Sequence, residues 1–219
     1  MLSNQQIQQL EQQLIAGLAQ IQVQASQVQI QQLIEYLQLL VKWNKAYNLT
    51  AVRDPQEMLY RHLFDSLVVL PYVQGQDLTD VGSGAGLPSI PLAIMRPDMQ
   101  VLSLDSNGKK TRFQFQVKTQ LKLDNFAVQQ VRVEQLTTAV KSNQIISRAF
   151  ASLQDFIVLT QNWAAPAARW LAMKGHYPQA ELNNLPPGYQ CQHSYTLHYP
   201  GQDGHRHLVV IERQAERKN

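Results

Sequence analysis

The chain has 219 residues, 44% of them hydrophobic, with a formal charge of +3 and a pI near 9.0. That is enough chain for a full core with an appendage, and the mild basic balance permits a polyanionic partner without demanding one. No run approaches the roughly 18 apolar residues of a membrane span, and the opening MLSNQQIQQLEQQ lacks a signal peptide's basic start and apolar centre. A soluble, cytoplasmic protein with no membrane partner is therefore expected. The single cysteine, Cys191, excludes an internal disulfide framework and a thiolate-clustered metal site.

Residues 2–24 are rich in glutamine, yet Leu10, Leu14, Leu18 and Ile21 recur at helical spacing and predict one apolar stripe. Ile30, Leu33, Ile34, Leu37, Leu40 and Val41 predict a second helix that ends near WNKAYNLT. In RDPQE, Asp54 suits an N-cap, Pro55 the first helical position and Glu57 the return arm of a capping box, so a third helix is predicted from there to Leu70. Residues 1–75 thus read as a helical appendage and residues 76–219 as the main domain.

From residue 78 the pattern alternates. LTDV, MQVLSLD, NFAVQQVRV, QIISRAF and RWLAMKG predict strands, while PSIPLAIM, NGKKTRFQFQVKTQL and SLQDFIVLTQNW predict helices. Such alternation predicts an α/β fold, a Rossmann-like and mostly parallel sheet covered on both faces. GYQCQHSYTLHY and RHLVVIER predict a C-terminal antiparallel hairpin at one edge, with Pro200, Gly201 and Gly204 in its turn.

The stretch LTDVGSGAGLPSI places Gly82, Gly84 and Gly86 at the carboxyl end of the first strand, where open α/β sheets bind ligands. Glycine there allows positive φ and lets a ligand lie against backbone amides. The spacing is G-x-G-x-G, not the dinucleotide G-x-G-x-x-G, and Asp80 on the strand would repel a pyrophosphate. A ligand with a cationic centre and one ribose fits better. Asp105 ends the second strand, where a carboxylate accepts both ribose hydroxyls. Together these features resemble the S-adenosyl-L-methionine site of class I methyltransferases.

The flanks sharpen the resemblance. WNKAYNLTAVRDP, RHLFDS, DVGSGAGLPSIPLAI, LDSNGKKTRF, RVE, SRAFASL, AMKG and RHLVVI, in that order and spacing, resemble the bacterial RsmG (GidB) family. The resemblance covers about residues 28–212 and implies a methyltransferase acting on N7 of a guanine, family position 527, in 16S rRNA. It also implies that Gly82 and Leu87 line the cofactor pocket, that Asp105 holds the ribose, that Val133 and Glu134 lie at the adenine and that Arg148 lies beside the cofactor. Asn107 departs from the family's usual apolar residue, and polar KSNQ precedes the fourth strand where an acidic or aromatic residue is common.

The chemistry requires little of the side chains. Guanine N7 carries a lone pair and no proton at neutral pH, so its methylation needs alignment and water exclusion rather than a general base. No catalytic residue is therefore assigned beyond Arg148 as a positioning candidate, and no metal is expected. The expected partner is 16S rRNA or the small subunit, and a monomer is expected. A non-catalytic cofactor-binding assembly factor is the rival reading; the glycine spacing disfavours a nicotinamide oxidoreductase.

For RNA contact the candidates are Lys45, Arg53, Arg61, Lys109, Lys110 and Arg112, with Trp43 and Tyr47 able to stack on bases or to pack at a helix end. Arg61 has an alternative, pairing with Asp65 one helical turn on. His205 and His207 flank Arg206; without a third ligand in view they read as surface strand residues rather than a metal pair. Cys191, in the hairpin, reads as packing.

Overall fold

The computed structural model describes residues 2–136, 141–148, 150–201 and 205–214. Helix α1 (Asn4–Gln20) and helix α2 (Gln27–Tyr47) both open on a capping box, Ser3 with Gln6 and Ser26 with Gln29. The glutamine-rich start therefore contains its own helix-initiating signals, which composition conceals. Leu10, Leu14 and Leu18 are buried on α1, and the whole apolar stripe from Ile30 to Val41 is buried on α2.

The expected third helix is broken up. It comprises α3 (Pro55–Met58), a π-helical segment Leu59–Phe64, α4 (Asp65–Leu67) and a 3-10 turn Leu70–Tyr72. Asp54 caps α3 through the amide of Glu57. The π segment buries Leu59, His62, Leu63 and Phe64, and α4 then buries Asp65 and Ser66, a wider inward face than a 3.6-residue period supplies. Phe64 packs against Gly17 of α1, where a Cβ would lie 2.1 Å from its Cζ.

The sheet follows as β1 (Asp77–Val81), α5 (Ser89–Met95), β2 (Gln100–Asp105), α6 (Gly108–Leu121), β3 (Phe126–Gln130), β4 (Ser142–Ser147), α7 (Leu153–Thr160), β5 (Ala164–Lys174), α8 (Gln179–Leu182), β6 (Tyr189–Leu197) and β7 (Arg206–Arg213). Its order among the described residues is β3-β2-β1-β4-β5-β7-β6. Strands β1 to β5 run parallel, while β7 is antiparallel to both β5 and β6. The chain reverses direction across the sheet between β1 and β4, which puts the ligand crevice at the carboxyl end of β1.

Several boundaries differ from expectation. Strand β3 stops at Gln130, and Val133–Gln135 form a 3-10 turn instead of extending it. Strand β4 stops at Ser147, so Arg148 lies beyond the ladder. Strand β5 starts earlier, at Ala164, because its pairing with β4 skips from Ser142–Ala164 to Gln144–Arg169; that irregularity accommodates Pro166. The hairpin is at the edge as expected; its Gly201 has φ of 70° against the Tyr60 ring, and Gly204 falls outside the described residues. The polar KSNQ segment ties strands together: Asn143 donates to both carboxylate oxygens of Asp77, and Gln144 bonds the backbone of Asp77 and Gln74.

Two apolar layers sandwich the sheet. One joins α1 and α2 with α5, α6 and one face of the strands, including Leu14, Leu37, Phe64, Ile90 and Phe113. The other holds Val81, Ile145, Phe156 and Trp170 beneath α7. The N-terminal helices thus share a continuous core with the sheet. Because a methyl at Gly17 has no room against Phe64, Gly17→Val should lower stability by about 1–3 kcal/mol, read as a lower urea midpoint at unchanged slope. An unchanged midpoint would show that α1 does not rest on the π segment.

Candidate functional site

Beyond Val81 the chain turns through Gly82, Gly84 and Gly86 with φ of 71°, 62° and 83°, a region other L-residues rarely enter. The last two glycines serve different needs. A Cβ on Gly84 would face open space, its nearest neighbour being Lys110 Nζ at 3.9 Å, whereas one on Gly86 would lie 2.3 Å from Ile90 Cδ1. Gly84 keeps the backbone bare toward the crevice. Gly86 lets α5 pack.

Buried polar groups fix this loop. Gln114 Nε2 donates to Ser83 Oγ at 2.9 Å and to Gly84 O at 2.8 Å, Ser103 Oγ lies 2.7 Å from Ser83 Oγ, and the Tyr36 hydroxyl donates to Ala85 O at 2.9 Å. Asp105, at the end of β2, closes it from the other side: its Oδ2 accepts from Gly84 N at 2.8 Å and its Oδ1 from Asn107 N at 2.7 Å. Asn107 in turn caps α6 by accepting from Lys109 N and Lys110 N, which explains a polar residue at this position. A carboxylate offers about four acceptor positions. Two of Asp105's are used, so about two are left for a ligand.

Two cavities meet at Gly82. The first, ≈ 380 Å³, is lined by Gly82, Asp105, Ser106, Val133, Glu134 and Phe150 among others. The second, ≈ 270 Å³, is lined by Leu49, Thr50, Gly82, Gly84, Leu87, Lys110 and Arg148 among others. Below them, Asp80 is fully buried; Ser89 N donates to its Oδ2, while its Oδ1 meets no donor. Burial pushes the Asp80 carboxyl up to about 7, against smaller opposing effects of the Ser89 hydrogen bonds and Arg148.

Arg148 leaves the end of β4 and places Nη1 2.9 Å from Asp65 Oδ2; Arg206 Nε approaches Asp65 Oδ1 at 2.9 Å. The Asp65 side chain is only 1% exposed. This overturns the pairing of Arg61 with Asp65: Arg61 is exposed and makes no ion pair among the described residues. His62, next in the chain, is buried. Its Nδ1 lies 3.0 Å from Arg61 O, so it donates there and Nε2 accepts from the Thr50 hydroxyl at 2.9 Å. Burial, aided by Arg148, pushes His62 down to about 4, so it is neutral near pH 7. Sequence reasoning missed His62 and Tyr36, whose available signal was a polar atom on an otherwise apolar helical face, and gave Asp65 the wrong partner.

The cation candidates separate. Lys110 joins Arg148 at the second cavity, while Lys109 and Arg112 are exposed along α6. Arg53 donates to Asn48 Oδ1. Lys45 does not border the crevice: it lines another cavity, between α1, α2 and the end of α6, with Ile7, Glu11 and Glu35. Trp43 packs against Phe113 and Tyr47, and Asn44 is buried, bonding Thr50 N and Val52 O. Cys191 is half-buried on β6, at the far edge of the sheet order from β3.

A Rossmann-like sheet of this order, with a bare-backbone glycine loop and a strand-end carboxylate beside it, defines a methyltransferase-type domain. Solved structures agree on the fold: TrmN from Thermus thermophilus (TM-score 0.56, 16% identity, 79% of this chain and 52% of that one) and a SAM dependent methyltransferase from Aquifex aeolicus (TM-score 0.55, 16% identity, 76% and 97%). The family model for rRNA small subunit methyltransferase G matches residues 29–209. Relatives named ribosomal RNA small subunit methyltransferase G are 50% identical in Pseudomonas syringae pv. syringae strain B728a (93% of this chain, 95% of the relative) and 51% identical in Pseudomonas aeruginosa PAO1 (84% and 86%). The chain belongs to the rRNA small subunit methyltransferase G family.

The geometry generates two predictions. Gly84→Val should abolish binding of S-adenosylhomocysteine while the protein stays folded, since its side chain would enter open space rather than the core; calorimetry showing unchanged affinity in a folded variant would remove the loop from the ligand site. Asp105→Ala removes a charge-assisted acceptor worth roughly 2–3 kcal/mol and should weaken the same ligand by about one to two orders of magnitude. A loss below about threefold would reject a direct contact.

Proposed function

We propose that this chain transfers the methyl group of S-adenosyl-L-methionine to N7 of one guanine, family position 527, in 16S rRNA, acting in the cytoplasm as a monomer on the rRNA or the small subunit. The observation that carries the cofactor assignment is Asp105, whose carboxylate holds the glycine loop and keeps acceptor capacity toward the first cavity. Family membership carries the substrate class.

The residues present fit the cofactor. Asp105 would take the ribose hydroxyls, Val133 and Glu134 would flank the adenine, and the bare backbone at Gly84 would let the amino-acid portion lie close. The donorless Asp80 Oδ1 suits an ammonium group. When bound, the cofactor supplies an electrophilic methyl group.

The chain's own task is then alignment. Arg148, held by Asp65, offers a fixed guanidinium at the second cavity, and Lys110 adds a cation beside it. His62 is no base: both ring nitrogens are engaged and it is neutral. That agrees with an acceptor atom that has no proton to lose. No helix among the described residues is long and apolar enough to cross a membrane.

Two measurements test this reading. Methylating small subunits in vitro and mapping N7-methylguanine by chemical cleavage should give one site in 16S rRNA; a methyl group on an exocyclic amine or on carbon would overturn the N7 assignment. The second follows from Asp80. With its carboxyl near 7, lowering the pH protonates it and removes the charge an ammonium needs, so affinity for S-adenosylhomocysteine should rise about tenfold from pH 6 to pH 8. Asp80→Asn should bind weakly and flatten the profile. A wild-type profile already flat would exclude Asp80 as the ammonium's partner.

A further inference from the structure

Four histidines gather where the hairpin meets the end of β5. His198 follows β6, His205 precedes β7, His207 lies in it, and His176 follows β5. The ring centroids of His198 and His205 are 6.2 Å apart, and those of His205 and His207 6.4 Å. Tyr177 sets its edge against His207 at 5.5 Å. Three of the histidines are exposed, and His207 Nδ1 is buried without a hydrogen-bond partner.

The cluster's neighbours determine what it can bind. Among the described residues no three histidine, cysteine or acidic side chains are placed to hold a metal ion. The charged groups nearby are already paired: Lys174, the cross-strand partner of His207 on β5, bonds Glu181 of α8, and Arg206 turns to Asp65, which also holds Arg148. On β6 the cross-strand partner of His207 is the uncharged Thr196, and His193 lies farther along against Tyr195. No described carboxylate is free to neutralise charge that appears on these imidazoles. Consistently, His207 is held below its ordinary value, first by burial and then by His205, His176 and His198. Asp203, two positions before His205, lies outside the described residues, and among those no anion meets the cluster.

Its position points to which anion. Strand β7 runs antiparallel to β5, so its start lies at the same end of the sheet as the carboxyl ends of β1, β2 and β4, where the two cavities open. Arg206 reaches Asp65 and through it Arg148 of the second cavity, and Lys174 Nζ lies 3.5 Å from the carbonyl of Phe150, a wall of the first. The cluster therefore lies at the crevice end of the sheet, on the β5–β7 side of β1 and opposite β2 and β3, which α6 connects.

We propose that His176, His198, His205 and His207 form a phosphate-binding patch for the backbone of the RNA substrate, and that its grip strengthens as pH falls through the imidazole range. This rests on the RNA-methylating function above. A phosphate favours the charged imidazolium, so RNA binding raises the pKa of each histidine it meets, and affinity increases as protons are supplied. Two or more such contacts should tighten binding about tenfold or more between pH 8 and pH 6.

The test is fluorescence anisotropy with a labelled 16S rRNA fragment that spans the target guanine, at fixed ionic strength. Wild type should show that gain. The double variant His198→Gln with His205→Gln should lose most of it, and His198→Lys with His205→Lys, whose charge is permanent, should bind tightly at both pH values. Thermal melting confirms that each variant is folded. A glutamine variant that keeps the wild-type pH slope, or a lysine variant no tighter than wild type at pH 8, overturns the patch. Methyl transfer by the wild-type chain is scored separately, so failure of the enzymatic reading shows as absent methylation and failure of the patch as an unaltered slope.

Discussion

The architecture depends on one buried carboxylate. Asp65 sits almost out of solvent between the guanidiniums of Arg148 and Arg206, each at 2.9 Å, and so joins the N-terminal helices, the end of β4 and the start of β7. Such an arrangement adds little net stability over an apolar substitute, because three charged groups must lose their water. Its effect is on specificity of arrangement, since any packing that separates these elements leaves buried charge unpaired. The π-helical segment is the backbone's response: it turns Phe64 onto Gly17 and Asp65 toward the two arginines within consecutive residues.

The glycine loop obeys the same logic at smaller scale. It has no repetitive hydrogen bonding of its own, yet Tyr36 of α2, Gln114 of α6 and Asp105 at the end of β2 hold its carbonyls, its Gly84 amide and its Ser83 hydroxyl from two helices and a strand end. A loop fixed in this way presents its amides without reorganising when a ligand arrives, which is how a site built on bare backbone retains precision. Gly86 adds that α5 can approach closely enough to shield the loop from below.

Local rules carried much of the reading. The alternation of strands and helices, the glycine loop and Asp105 were legible because each is set by neighbours in sequence. The partner of Asp65 was not, since Arg148 lies 83 positions away while Arg61 stands one helical turn before it. The interrupted third helix was hidden for the same reason, because the contact that favours it is with Gly17 in another helix. The orientation of Lys45 was not legible either: it follows Tyr36 by about two and a half helical turns, so when Tyr36 faces the loop Lys45 faces away. The early start of β5 was masked by Pro166, which reads as a break until a register shift accommodates it.

Gly82 is the wall common to both cavities, and its amide donates to Leu104 O, the residue before Asp105. Either cavity is therefore bounded by a segment that also shapes the other. Any coupling between ligands that touch such a segment is mutual by linkage: whatever factor the first contributes to the second's affinity, the second returns to the first. In this fold the wall through which such linkage would pass is a single residue without a side chain.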